Sequence, residues 1–474
     1  MSRDRRKSMR AATGNAEEGL PSPEAVRAEF DRLRAQDPER ALAWLHGLEL
    51  SCGYLDAGAE AERIRWTGGS AWGDLECSIN LAKPEKDPRD IAAAGGAGDG
   101  SGGGGADAAG GAGVPRCDLC WENEGFPGCP GHPAKPGLRI AAIELGGERW
   151  GLQYSPYAYF PEHCIALSER HRPLRVDAAC LARLLDFVDA FPCYFIAANA
   201  DLPLVGGSIL SHDHYQGGRC DFPLMRAPAA RPFPLASFSD LEVEVLRWPA
   251  STLRLRGRDR GRLLDAAARI LDVWRGFSWE PCGILPESAR AEGARERHNA
   301  VSAIARREGD GGWTLWLVLR NNRRDAEHPW GLFHPGPELH HIKKENIGVI
   351  EIMGLAILPP RLARELPQVQ DVLLRAARGG ASPEEAEAEL AARADTAPHA
   401  PWAADVLARR ADGLRAPGPA TGASGLLHPV IEDELARSFA AILEATGVFK
   451  DDAAGRAGWA AFARAVDGGP GEAR

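Results

Sequence analysis

Between Pro21 and about Leu50 apolar residues recur at helical spacing, Val26, Phe30 and Leu33 first and then Leu42, Leu45 and Leu48. This spacing predicts amphipathic helices. Further on the period shortens. The runs RIAAIEL and RWGLQY flank Gly146-Gly147, a pairing that predicts a β-hairpin. CIALSERH reads as a strand, residues 177–189 as a helix carrying Leu181, Leu184, Leu185 and Val188, and CYFIAAN as another strand. A weaker version of the same order follows. TLRLRGRDRG precedes a helix with Leu263, Ala267, Ile270 and Trp274, and the strands VSAIAR and WTLWLVLRN lead toward Leu339-His340-His341-Ile342-Lys343-Lys344. Strand, helix, strands and a His-rich segment thus occur twice, which predicts a duplicated α+β unit. Beyond Arg361 the pattern is mostly helical and reads as a helical appendage.

The domain plan that follows has a disordered start over 1–20 and a first unit over 21–245 that holds the active site. A second unit covers 246–360 and a helical region 361–474. Residues 92–115 are almost wholly Gly and Ala, too poor in bulky side chains to pack, and read as a flexible insertion in the first unit.

The 474 residues carry a formal net charge of −10, a field that repels nucleic acid and anionic membranes. A nucleotide can bind only where local cations or backbone N–H groups override it. No apolar run reaches the roughly 18 residues that span a bilayer. The charged start, MSRDRRKSMRAATGNAEEG, lacks the apolar segment of a secretory signal, so the expected compartment is the cytosol. The ten cysteines are scattered, and Cys164, Cys180 and Cys193 sit in apolar runs as small hydrophobes. Cys117 and Cys120 differ, because a CxxC pair can place two thiolates on one ion.

The stretch richest in chemistry is NADLPLVGGSILSHDHYQGG, residues 199–218. If residues 211–217 are extended, alternation puts His212, His214 and Gln216 on one face, and Asp213 and Tyr215 on the other. Convergent polar groups flanked by glycines suit a site that handles phosphate, since backbone N–H groups can approach an anion there.

This segment resembles the active-site segment of the galactose-1-phosphate uridylyltransferases, in particular their second bacterial type. The resemblance continues in HPAK (132–135), QYSPYAYFPEHCIALSERHRPL, RWPASTLRLRG, WLVLRNNR and HHIKKENIGVIEIMGLAILPPRL, and covers roughly residues 60–360 outside the Gly/Ala insertion. It implies a duplicated histidine-triad-like α+β fold with an antiparallel sheet. It also implies transfer of UMP from UDP-glucose to galactose 1-phosphate by double displacement. In the better-known type the motif is His-Pro-His-Gly-Gln, whose second histidine, the nucleophile, falls on His214. Its glutamine falls on Gln216, which can donate hydrogen bonds to a phosphoryl oxygen but cannot carry a proton. Asp213 stands in place of the proline and Tyr215 in place of the glycine.

The same resemblance implies nucleotide or phosphate contacts at Asn199, Ser208 and Ser211, and diphosphate contacts at Lys83 and Lys86 in SINLAKPEKDP. It implies hexose-phosphate contacts at Lys344 and Glu351, a region that in the family reaches the neighbouring subunit and so implies a homodimer. For the metal it implies a structural zinc on Cys117, Cys120, His171 and His212. Cys129 and His132 lie near enough in sequence to substitute as ligands. His340 and His341 stand between a structural role and a metal site. Arg320, Asn321, Asn322 and Arg323 form a polar cluster at a strand end to which spacing gives no role.

Three rivals remain at this level: a dinucleoside polyphosphate phosphorylase sharing the His-x-His-x-Gln skeleton, a nucleotide-sensing protein whose catalysis has decayed, and a zinc protein that binds nucleic acid. The net charge and the single CxxC disfavour the last.

Replacing residues 92–115 by a short Gly-Ser linker is expected to leave folding and turnover nearly intact, since each halving of a loop changes its closure entropy by only about 0.6 kcal/mol. A collapse of expression or of activity after the exchange would make the segment structural.

Overall fold

The structure is a computed structural model, which describes residues 19–58, 63–81, 114–207, 209–289, 295–416, 419 and 421–468. The expected disorder of 1–20 falls outside these residues except at positions 19 and 20, and the Gly/Ala insertion except at positions 114 and 115.

The first helices form where the apolar spacing predicts them. Helix α1 (Pro23–Arg34) starts behind Ser22, whose side chain accepts from the Ala25 N–H, and buries Val26, Phe30 and Leu33. Helix α2 (Pro38–Ser51) is capped in the same way by Asp37 and buries Leu42 and Leu45. A hairpin of β1 (Ile64–Ser70) and β2 (Gly73–Ile79) follows. Strands β3 (Ala141–Leu145) and β4 (Glu148–Tyr154) are joined through Gly146 and Gly147 with φ of 62° and 71°. Two successive left-handed residues are what the tight hairpin turn demands, and glycine adopts them without steric cost.

Apart from short helical turns, the next elements are β5 (Cys164–Ser168), α3 (Ala178–Ala190), β6 (Phe195–Ala198), β7 (His214–Gly218), β8 (Ala229–Pro232), β9 (Glu242–Leu246), β10 (Thr252–Gly257) and α4 (Arg260–Gly276). After them come β11 (Glu287–Ala289) and β12 (Arg295–Arg297), a small ribbon, then β13 (Asn299–Arg307), β14 (Trp313–Asn321) and β15 (Leu355–Leu358). Helices α5 (Leu362–Gly379), α6 (Pro383–Ala391), α7 (Ala400–Arg415), α8 (Pro429–Thr446) and α9 (Ala453–Gly468) complete the described chain.

Among the described residues ten strands form one sheet in the order β3-β4-β5-β7-β6-β13-β14-β10-β9-β8. Every pairing in it is antiparallel. Counted inward from the edges, the halves are β3-β4-β5-β7-β6 and β8-β9-β10-β14-β13. In each, a helix follows the third strand, α3 after β5 and α4 after β10. The duplicated unit is therefore present as topology, joined where β6 pairs β13 with Ala198 opposite Ala303. One detail differs from the sequence reading. The counterpart of β7 is β14, which carries no histidine, and the His340–Lys344 run lies downstream of the repeat.

Both faces of this sheet are covered. Ile196, Ala303, Leu315 and Leu317 face one core with residues of α1 to α4 and with Trp459 and Phe462 of α9. Their neighbours Phe195, Ile304, Trp316 and Val318 face a second core with β1, β2, β15 and helices α5 to α8. This is strand alternation buried on both sides. The C-terminal helices are thus part of both cores rather than an appendage. Strand β15 pairs in parallel with β2, and the Trp66 indole of β1 donates to the Glu432 carbonyl of α8 at 3.0 Å.

Ile196 is fully buried beside the seam of the two halves. Ile196→Ala should cost about 2–5 kcal/mol through lost burial and a residual cavity, read as a lowered urea midpoint. An unchanged midpoint would mean that the seam relaxes to fill the gap.

Candidate active site and metal centre

Strand β7 lies between β5 and β6, with Ile165 and Ala197 on either side of Gln216. It starts at His214, later than the expected extension over 211–217. Its two faces do separate work. Tyr215 is fully buried and stacks on Trp150, with ring centroids 4.9 Å apart. Its hydroxyl accepts from Arg183 Nε at 2.7 Å. Asp213 is also buried, within 3.3 Å of Arg172 and 3.6 Å of Arg183, and burial raises its carboxyl to about 6 against the pull of both guanidinium groups. On the other face His214 and Gln216 line a cavity of about 710 Å³, a volume within the range of small-molecule sites. Gly217 meets the sheet itself, because a Cβ there would lie 2.6 Å from the Phe195 carbonyl oxygen. It is a packing glycine rather than part of an anion cradle.

The His214 ring is oriented by its own backbone. Nδ1 lies 2.8 Å from the His212 carbonyl oxygen, which can only accept, so the Nδ1 proton is donated there and the Nε2 lone pair is left available. Burial pulls its pKa down to about 4, and at neutral pH the imidazole is uncharged and nucleophilic. Gln216 meets a residue that the sequence reading did not assign. Its Oε1 lies 3.1 Å from Nε2 of His163, which also lines the cavity.

Asn199 lines the cavity too, and its Oδ1 accepts from the Val349 N–H at 2.8 Å. Lys135 contributes a cationic side chain to the cavity wall. It donates to the Asp118 carbonyl at 2.9 Å, with the Asp118 carboxylate 3.6 Å away. Tyr157 and Tyr159 form an aromatic wall, stacked at 6.1 Å, and Tyr159 stacks in turn on His163 at 5.1 Å. Lys135 closes the quoted HPAK motif, and the two tyrosines are separated by a single residue in the quoted QYSPYAYFPEHCIALSERHRPL. Those signals were available in the sequence.

Other expected residues are elsewhere. Ser211 is exposed and Lys344 half-buried, and neither lines the cavity. Glu351 does not line it either. It pairs at 3.0 Å with Lys343, which also reaches Glu345 at 3.0 Å and the Ile357 carbonyl at 3.1 Å. His340 bonds with the Pro335 carbonyl and His341 with His399, contacts that hold the fold together. Lys83, Lys86 and Ser208 lie outside the described residues.

Cys117, Cys120, His171 and His212 converge, their ligand atoms all within 4.8 Å of one another. The sulfurs are 3.7 Å apart, and sulfur–Nδ1 distances run from 3.1 Å for Cys120–His171 to 3.8 Å for Cys117–His171 and Cys120–His212. Two sulfurs and two imidazole nitrogens gathered this closely form a donor set that can hold a metal ion. The surroundings agree. His212 Nε2 donates to the Ser168 carbonyl at 2.8 Å, which leaves Nδ1 for coordination. The Asn123 amide donates to the Cys117 and Cys120 carbonyls, both at 2.8 Å, and fixes the CxxC turn. The hydrogen bond between the thiols draws Cys120 down and pushes Cys117 up. His132 is engaged by Asn123 at 2.7 Å and Cys129 is exposed, so neither competes as a ligand.

Known proteins resemble this chain over most of its length. Residues 17–173 match the N-terminal domain of galactose-1-phosphate uridyl transferase, and residues 187–387 its C-terminal domain. Galactose-1-phosphate uridylyltransferase of Streptococcus salivarius is 42% identical over 443 residues, covering 93% of this chain and 81% of its own length. That of Bacillus subtilis is 41% identical, covering 94% and 80%, and that of Clostridium perfringens 40%, covering 94% and 82%. Among solved structures, a yeast Ap4A phosphorylase aligns with a TM-score of 0.37 at 11% identity, over 66% of this chain and 87% of that one. With its histidine motif on β7 and two thirds or more of each curated relative matched, the chain belongs to the galactose-1-phosphate uridylyltransferase family.

Proposed function

We propose that this chain transfers UMP from UDP-glucose to galactose 1-phosphate through a covalent intermediate on His214. The observation that carries the reading is the His214 ring itself. Its Nδ1 proton is committed to the His212 carbonyl, and its other nitrogen faces a nucleotide-sized cavity beside Gln216.

Nε2 attacks the α-phosphorus of UDP-glucose, and the bond to the bridging oxygen breaks. Glucose 1-phosphate leaves with the electron pair. An oxygen of galactose 1-phosphate then attacks the same phosphorus and breaks the P–N bond, giving UDP-galactose and free His214. Both leaving groups depart without needing a proton, so Gln216, which cannot carry one, need only donate a hydrogen bond to the phosphoryl group. Lys135 faces the diphosphate charge, and Asn199 the nucleotide. Cys117, Cys120, His171 and His212 would hold a zinc ion. With four protein donors the ion supplies a fixed link between the 117–120 loop and the base of β7. The family resemblance at Lys344 and Glu351 makes a homodimer part of the same reading, and a cytosolic compartment belongs to it as well.

Elemental analysis of the purified protein should find about one zinc per chain, and Cys117→Ser should lose it. No transition metal in the wild type would refute the zinc centre, whereas equal metal in the variant would refute the ligand set alone.

Intact-mass analysis after incubation with UDP-glucose alone should show UMP added to the wild type, mapped to His214, and none on His214→Ala. The variant should keep its fold and lose transfer. An unlabelled wild type with intersecting double-reciprocal lines would replace the double displacement by direct transfer.

A further inference from the structure

A glutamine amide presents an oxygen and a nitrogen of nearly equal size, and rotation by half a turn exchanges them. Only one orientation helps a phosphoryl group on His214. The NH2 end must face the phosphoryl oxygens, because the carbonyl end would repel them. Within the described residues, His163 is what decides the orientation.

His163 stands just before β5, and its backbone carbonyl accepts from the Ser155 N–H at 2.8 Å. The side chain is buried with 3% exposure. Its ring is held between Tyr159 at 5.1 Å and Phe160 at 4.5 Å. Nε2 lies 3.1 Å from Gln216 Oε1, while Nδ1 is buried with no hydrogen-bond partner. This asymmetry selects the tautomer. A proton on Nε2 has the Gln216 oxygen as acceptor, whereas a proton on Nδ1 would be an orphaned buried donor. Burial also keeps the ring neutral, with its pKa lowered to about 4. The ring therefore carries one N–H, and that N–H is spent on Gln216.

We propose that His163 is a positioning residue for UMP transfer: its Nε2–H holds the Gln216 carbonyl oxygen and so turns the Gln216 NH2 toward the phosphoryl group bound to His214. This deepens the function proposed above and rests on it. His163 itself neither accepts nor delivers a proton, and its effect passes entirely through Gln216.

The test is a double-mutant cycle with a structural readout. His163→Leu should lower kcat by about tenfold or more with KM for UDP-glucose held within about twofold, because the lost interaction is made in the transition state. His163→Gln, which can place an N–H near the Nε2 position, should recover most of the loss and guards against a folding defect in the Leu variant. In a Gln216→Ala background His163→Leu should have almost no further effect. Neutron diffraction, which tells an amide nitrogen from its oxygen, should show the Gln216 oxygen turned to residue 163 in the wild type and His163→Gln, and turned away or displaced in His163→Leu. Losses that multiply in the double variant, a change confined to KM, no recovery in His163→Gln, or an unmoved Gln216 in His163→Leu would each overturn the proposal. A wild type unable to transfer UMP would overturn the proposed function instead, and the Gln216 orientation in the crystals would still decide the positioning role.

Discussion

Everything in the site depends on a strand that must present different chemistry on its two faces. Side chains of β7 alternate, so the residues that do chemistry and those that anchor the strand are necessarily interleaved. Gln216 sits between the neighbours Ile165 of β5 and Ala197 of β6, and it can hold its place only if the sheet cannot slip by one residue. A slip would turn Tyr215 into the cavity and His214 into the core. Much of the surrounding structure makes that slip impossible: the Tyr215–Trp150 stack, the arginines behind Asp213, and the close packing of Gly217 on Phe195.

The back face also accounts for the two departures from the better-known motif. Arg172 and Arg183 both lie over the Trp150 ring, at 5.7 Å and 5.4 Å, and Arg172 also pairs with Glu148 at 2.6 Å. Asp213 adds an acceptor for both arginines and the Tyr215 hydroxyl one for Arg183. A proline and a glycine at these two positions would offer no such acceptors. Asp213 and Tyr215 thus pack with the arginines and the tryptophan, on the face away from the cavity.

What was legible in the sequence is what local spacing encodes. The Gly146-Gly147 turn, the alternation through His214 and Gln216, and the CxxC pair are short-range patterns with a single physical reading. The duplication was legible as an order of elements. His163 was not, because its meaning comes from the register that sets Cys164 opposite Gly217, across 53 residues of chain. His341 was ambiguous for the same reason: its partner His399 lies in the helical region, 58 residues away. Lys344 was chosen over Lys343 by pattern, yet Lys343 is the buried lysine. Its ion pairs with Glu345 and Glu351 are a tertiary arrangement that spacing does not reveal.

The second unit carries no histidine on its equivalent strand, so its contribution must be sought in what its strand end supports. The polar cluster to which spacing gave no role sits there. Asn322 donates to the Pro203 carbonyl at 3.2 Å, within the loop that delivers His212 and His214. Arg320, almost fully buried, donates to the Ile347 carbonyl at 3.0 Å, in the segment whose Val349 N–H is held by Asn199. The loop after β6 and the segment after His340 are thus fastened to each other and to the end of β14. A pre-organised loop keeps a nucleophile in its productive geometry without spending binding energy on ordering it. The two halves of a duplicated sheet have divided the task. One carries the histidine proposed to react, and the other supplies rigid donors that long loops cannot provide for themselves.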